Sequence, residues 1–255
     1  MRTERVAWCF LAVAGLLAPL MAPAAMAQST SFDNVSELAR TNVMLAESYL
    51  AAGDLSAALE RANRAVKRDP KSAEAHAVLA LVQDRINRPK QAKSSFERAL
   101  KLAPDSGAIL NAHAVWLCQQ GQYEEADAQY QRAMADPLYK STLLVLNNAA
   151  RCALAAQQKD AAERYFRGII EANPAEPSAL EALAVLHLEK GDTLRARAFI
   201  QRREAVGPAS AEMLVLAASI EEAAGADSTA AEYRRRLNRE FPDYSPPNPE
   251  GQRQP

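Results

Sequence analysis

Residues 71–104 read KSAEAHAVLALVQDRINRPKQAKSSFERALKLAP. Within this stretch Ala80 and Ala92 stand twelve residues apart, Asn87 lies between them and Pro104 closes it. Working outward, the first alanine recurs as Ala46, Ala114, Ala150, Ala184 and Ala218, and the second as Ala58, Ala126, Ala162, Ala196 and Ala230, at steps of 34 residues apart from one step of 36. Pro70, Pro174, Pro208 and Pro242 repeat the closing proline. Where two helices cross at close range there is no room beyond Cβ, so small residues must meet there, and alanine is also the best helix former. Gly53, Gly121, Gly191 and Gly225 share the register of Asn87, where the first helix must end and a positive φ is easiest for glycine or asparagine. Gln157 fills that place in the fourth repeat. Glutamine is not a favoured left-handed residue, which predicts a different turn there.

A 34-residue period with two small-residue columns and a terminal proline is the signature of a tetratricopeptide repeat (TPR) array. The predicted fold is all-α, a right-handed TPR superhelix (α-solenoid) of about six helix-turn-helix repeats at 39–72, 73–106, 107–142, 143–176, 177–210 and 211–242. Leu45, Leu79, Leu183, Tyr49 and Leu117 fill core columns of the first helices, and Phe96, Tyr130, Phe166 and Ile200 the aromatic or large column of the second helices. Glu221 and Arg234 interrupt these columns in the sixth repeat, which reads as a solvent-facing cap.

Residues 1–27 read as a secretory signal: Arg2 and Arg5 form a positive start, Val6 to Met21 an apolar run, and Ala25-Met26-Ala27 a cleavage site. Pro19, Pro23 and the shortness of that run argue against an uncleaved anchor. A lipoprotein signal needs a small residue before a cysteine at the end of the run; Cys9 follows Trp8 near the start, so there is no lipobox. Residues 28–38 are expected as a linker and 243–255 as a disordered Pro-rich tail.

Export leaves Cys118 and Cys152, which fall on first helices of adjacent repeats, 34 residues apart. Neighbouring first helices lie side by side, so a disulfide is geometrically open, with two separate buried thiols as the alternative; the bond is the expectation adopted. Their spacing excludes a CxxC redox motif and a zinc site. The formal net charge of −1 and the lack of a basic stripe with interleaved aromatics argue against nucleic acid. The run Arg234-Arg235-Arg236 reads as a solvated helix face.

No catalytic constellation is present: the chain has no G-x-S-x-G, Gly-rich phosphate loop or H-E-x-x-H. His76, His113 and His187 stand at different repeat positions, and His187 replaces a core tyrosine. The expectation is a non-enzyme with no cofactor and no metal ligands. A TPR array works by shape, its first helices lining a concave groove that receives a peptide or helix. Arg40, Val43, Glu47, Glu74, Asp84, Arg85, Asn111, Val115, Asn147, Arg151, Glu181 and Val185 are expected to face that groove. The lysines of the carboxylate clamp found in chaperone-binding arrays are missing.

The stretches Trp116 to Ala126, Ala135-Asp136-Pro137-Leu138-Tyr139 and Asn147 to Leu154 resemble the PilF/PilW type IV pilus biogenesis and stability family. The resemblance runs over the whole array. It implies an envelope protein that helps the outer-membrane secretin assemble or localise, or stabilises the pilus, with that secretin or another pilus component as partner. Family members are typically lipoproteins acting as pilotins, and the missing lipobox departs from that pattern. The expected location is therefore the periplasm, peripheral to the outer membrane through a partner. A general periplasmic TPR adaptor or chaperone is the alternative function.

Overall fold

The computed structural model describes residues 24–245, with side chains from Glu37 onward. Among these residues there are twelve α-helices and no strand. They pack in antiparallel pairs: α1 (Ala24–Ala52) with α2 (Leu55–Arg68), α3 (Ala73–Arg85) with α4 (Pro89–Leu102), and α5 (Gly107–Gln119) with α6 (Tyr123–Ala135). The series continues with α7 (Thr142–Ala155) and α8 (Lys159–Ala172), α9 (Pro177–Glu189) and α10 (Thr193–Ala205), and α11 (Ala211–Ala223) and α12 (Asp227–Glu240). The chain is an all-α TPR solenoid. The stretch 28–38, expected as a linker, is helical and continuous with α1. The expected signal lies outside the described residues up to residue 23, and the expected tail lies outside them beyond Ser245.

The alanine columns hold each pair together. Eleven of the twelve alanines have no exposed surface and Ala218 retains 5%, so a longer side chain at any of them must displace its neighbours. Around the crossings, Phe96, Tyr130, Phe166 and Ile200 are buried on the second helices and Leu79, Leu183 and Leu117 on the first. Side-chain caps satisfy several of the free amides at helix starts. Ser72 accepts from the Ala75 N–H at 3.1 Å, Ser210 from Met213 at 3.2 Å and Asp54 from Ala57 at 3.0 Å.

The turn between the helices of a pair is the same in all six repeats, and this corrects the expectation for the fourth. Gln157 adopts φ 60°, beside 59° at Asn87 and 74° at Gly121. Its N–H reaches the Leu154 carbonyl at 3.0 Å and the Gln158 N–H reaches Ala153 at 2.8 Å, as Gly121 does with Cys118 and Gln122 with Leu117. This paired closure takes up carbonyls left free at the helix end. The packing of α7 on α8 thus overrides the local preference of glutamine.

Glu221 is a second correction. It is not solvent-facing: only 7% of it is exposed, and both its oxygens accept from Arg197 of α10, with Nε at 2.7 Å. Arg234, by contrast, is exposed and pairs with Glu222. The polar residue at Glu221 therefore joins the fifth repeat to the sixth and does not face outward. His187 is buried as a core residue, its ring stacked on Phe199 with centroids 5.5 Å apart and 3.4 Å from the Glu163 carboxylate.

The 36-residue step also has a structural cause. After α6 the chain turns at Asp136, whose Oδ2 accepts the Gly107 N–H at 2.8 Å and whose Oδ1 accepts the Leu138 N–H at 2.9 Å. Those two amide bonds hold the Asp136 carboxyl below its ordinary pKa. The Tyr139 ring lies over Gly107, where an added Cβ would come within 2.6 Å of the tyrosine Cβ. Glycine is required there for close approach. The insertion is thus folded back onto the start of α5.

Two substitutions separate the crossing from the turn. Ala126→Leu is expected to destabilise by roughly 1–3 kcal/mol through overpacking. Gln157→Gly is expected to stabilise by about 1 kcal/mol by relieving a left-handed L-residue. Chemical denaturation read by far-UV circular dichroism checks both signs.

Candidate binding groove

Among the described residues the backbones of first helices of successive repeats come close at α1–α3, α3–α5, α5–α7 and α9–α11, whereas second helices of successive repeats stand further apart and meet through long side chains such as Tyr165 with Asp127 and Arg236 with Glu204. The array therefore curves with its first helices on the inner side. That inner side is the concave groove.

The twelve residues expected there fall into three groups. Arg40, Glu47, Glu74, Arg85, Arg151 and Val185 are exposed. Asp84, Val115, Asn147 and Glu181 are half-buried. Val43 and Asn111 are buried, at 9% and 7% exposure, and this corrects their expected role. Val43 packs with Ala46, Val78 and Leu79 at the junction of the first two repeats, and Asn111 accepts from Asn148 Nδ2 across the third junction at 3.1 Å.

Several polar members are already engaged. Asp84 Oδ1 accepts the Trp116 indole N–H at 3.1 Å, Glu181 accepts from Arg203 Nε at 2.5 Å, and Asn147 donates to the Leu143 carbonyl at 2.9 Å. These three satisfy partners within the array and are poorly placed to serve a ligand. Two clefts gather others. Arg40, Val43 and Glu74 line one together with Met44 and Lys71. Val115 and Arg151 line the second with Gln119, Asn148 and both cysteines. Cys118 and Cys152 are bonded through their Sγ atoms, with Cα atoms 5.8 Å apart, inside the range a disulfide spans.

Sequence reasoning named Val185 on this surface but missed Leu144 and Leu154. Leu144 and Leu154, on the same helix as Arg151, are 50% and 41% exposed, and Val185 on α9 is 38% exposed. The signal was available in α7, which reads TLLVLNNAARCALA and carries more apolar residues than its buried stripe of Val145, Ala149, Ala150, Cys152 and Ala153 can take. Arg151 flanked by leucines offers a cation beside apolar contacts. That combination suits a peptide with an acidic group and aliphatic side chains.

His113 stacks on Trp116 and tilts against Phe96, with centroids 5.7 and 5.1 Å away. Burial pushes its pKa down to about 4, so it is neutral near pH 7. Among the described residues no three His, Cys, Asp or Glu side chains are gathered for a metal, and no helix is long and apolar enough to cross a membrane.

A protein-family profile described as the tetratricopeptide repeat matches residues 43–106, 78–139 and 147–205. The chain is homologous to the type IV pilus assembly protein PilF of Pseudomonas aeruginosa, at 28% identity over 200 residues covering 78% of this chain and 79% of that protein. It is also similar to an uncharacterized protein of Haemophilus influenzae, 27% identical over 148 residues, 58% of this chain and 83% of the other. The solved structure of Pseudomonas aeruginosa PilF superposes with a TM-score of 0.67 at 27% identity, covering 83% of this chain and 95% of that one. The crystal structure of PilW, described as a widely conserved type IV pilus biogenesis factor, gives 0.66 at 28% identity, with 81% and 95% covered.

The depressed pKa of His113 fixes a pH dependence. Its folded value lies below the unfolded value near 6.5, so the stability tied to the neutral ring is present above about pH 6.5 and is lost as pH falls towards about 4. Thermal unfolding across that window should show the loss. His113→Phe, which keeps a ring and cannot charge, should flatten it.

Proposed function

The chain belongs to the tetratricopeptide repeat family, and from that premise we propose that it is a non-enzymatic scaffold of type IV pilus biogenesis. In this reading it promotes assembly or localisation of the outer-membrane secretin, or pilus stability, by holding a segment of the secretin or another pilus component in its concave groove. The observation that carries it is homology to PilF over most of both chains. The groove adds a mechanism: inter-repeat bonds hold the first helices rigid, so a peptide binds a preformed surface and loses little to reorganisation.

The proposal includes a location. A signal cut after Ala27 places the array in the periplasm, peripheral to the outer membrane through its partner. Oxidising surroundings then keep Cys118 and Cys152 bonded across the third and fourth repeats. Closing that loop contributes about 3–4 kcal/mol in the chain-entropy model. The effect is local, because each repeat is held only by its neighbours.

Three measurements test this reading. A deletion strain is expected to lose secretin multimers, surface pili or twitching; normal assembly and motility would replace the pilus reading with that of a general envelope adaptor. Arg151→Glu and Arg85→Glu are expected to weaken capture of the pilus partner without lowering thermal stability, since both side chains are exposed. Thiol titration of protein prepared from the periplasm without reductant should find no free thiol at Cys118 or Cys152; two per chain would refute the bond.

A further inference from the structure

We propose that the outer face formed by α2 and α4 docks the protein onto an anionic lipid surface. Between Leu55 and Pro104 the chain carries eleven Lys and Arg against five Asp and Glu, a net +6, although the whole chain sums to −1. The rest of the molecule is therefore acidic. The largest positive excess of any part of the array lies in the first two repeats, twelve Lys and Arg against eight Asp and Glu over residues 39–106, and the fold sorts it further.

On α4 the buried stripe is Ala92, Ser95, Phe96 and Ala99, and Lys90 and Lys101 are exposed on the opposite side of the helix with Lys93 and Arg98 exposed at its two flanks. On α2 the buried stripe is Ala58, Ala62 and Ala65, while Lys67 and Arg68 are exposed. Both are second helices, which the curvature of the array puts on the outer side. Among the described residues the ion pair on these helices joins Arg64 to Glu60, and the six cations named have no carboxylate partner. The last helix shows the contrast: Arg234, Arg235, Arg236 and Arg239 of α12 are each ion-paired. Basic residues are thus neutralised at one end of the array and left unpaired at the other.

The surroundings identify the kind of partner. The large apolar side chains that remain exposed, such as Leu138, Leu144 and Leu194, all lie outside residues 55–104. The basic face has no aromatic or aliphatic anchor of the kind that carries a protein interface. It is not a groove, and it has no stacking platform for single-stranded nucleic acid. Dispersed positive charge on an outward-curving face matches many mobile anionic headgroups, each Lys and Arg within a Debye length adding its share. This inference does not depend on what the concave groove holds.

The test is flotation of the full chain, recovered from the envelope in detergent-free buffer, with vesicles of phosphatidylcholine alone or containing about 30 mol% phosphatidylglycerol. The expected result is about tenfold or greater preference for the anionic vesicles at about 0.05 M salt, lost at about 0.5 M. Lys90→Glu/Lys93→Glu/Lys101→Glu should abolish that preference, and Arg235→Glu/Arg239→Glu should float like the wild type. Any contribution of the apolar N-terminal segment is common to all variants and cancels. Circular dichroism establishes that the triple variant is folded, and the single change Lys93→Glu should give a partial loss if it is not. Equal flotation with both vesicles, or a folded triple variant that floats like the wild type, would overturn the proposal. Capture of an acidic protein through these lysines with no vesicle preference would overturn it too, and make the face a protein-docking surface.

Discussion

The constraint on which the rest depends is the close crossing of two helices that leaves no space past Cβ. Zero exposure at Ala58, Ala92, Ala126, Ala162, Ala196 and Ala230 shows how tightly it is met. Once both helices carry alanine at the crossing, their separation is small and the connecting turn must reverse the chain within a few residues. That demands a left-handed residue after the first helix, and six positions supply it, including Gln157. Repetition of the crossing along one axis then produces a curved stack with an inner and an outer face.

Alanine crossings bury little apolar area per residue, so much of the holding between repeats falls to longer side chains. The first junction is apolar, with Val43 against Val78 and Leu79. Further along, polar bridges take over. Trp116 reaches back to Asp84, Asn148 to Asn111, and Tyr165 to Asp127. At the fourth junction Lys190 bonds both Asp160 and Glu163 at 2.7 Å, and the Lys190 bond with help from Arg167 pulls the Glu163 pKa down to about 2. At the fifth, Arg197 meets Glu221 while Tyr233 and Arg236 share Glu204. Polar pairs of this kind are geometrically demanding and fix the angle at which one repeat meets the next.

This division of labour explains the surfaces. Side chains that bridge repeats are taken up within the array, while the apolar residues around Arg151 stay exposed. The outer face of the first two repeats keeps cations without such bridges. Two faces of one stack thus offer different chemistry, one apolar with a local charge, the other broadly positive.

The period, the helix pairs and most turn positions were legible in the sequence because they follow from local rules. Small residues mark crossings, glycine marks a left-handed turn, and proline marks a repeat end. The kinship around Asp136 to Tyr139 was legible for the same reason, as a contiguous string of residues. Periodicity also places a residue on the inner or outer side of a helix, and Arg40, Glu47, Arg85 and Arg151 were placed that way. It does not say what the side chain meets there. Asn111 was expected to face the groove and Glu221 to cap the array, and neither expectation could foresee that they, like Glu181, bond to Asn148, Arg197 and Arg203, which stand 37, 24 and 22 residues away in the chain. Only the stacked structure brings such groups within bonding distance, since the angle between repeats depends on every side chain at the junction at once. The turn at Gln157 has the same origin: its local preference is weak, and the packing of α7 against α8 decides.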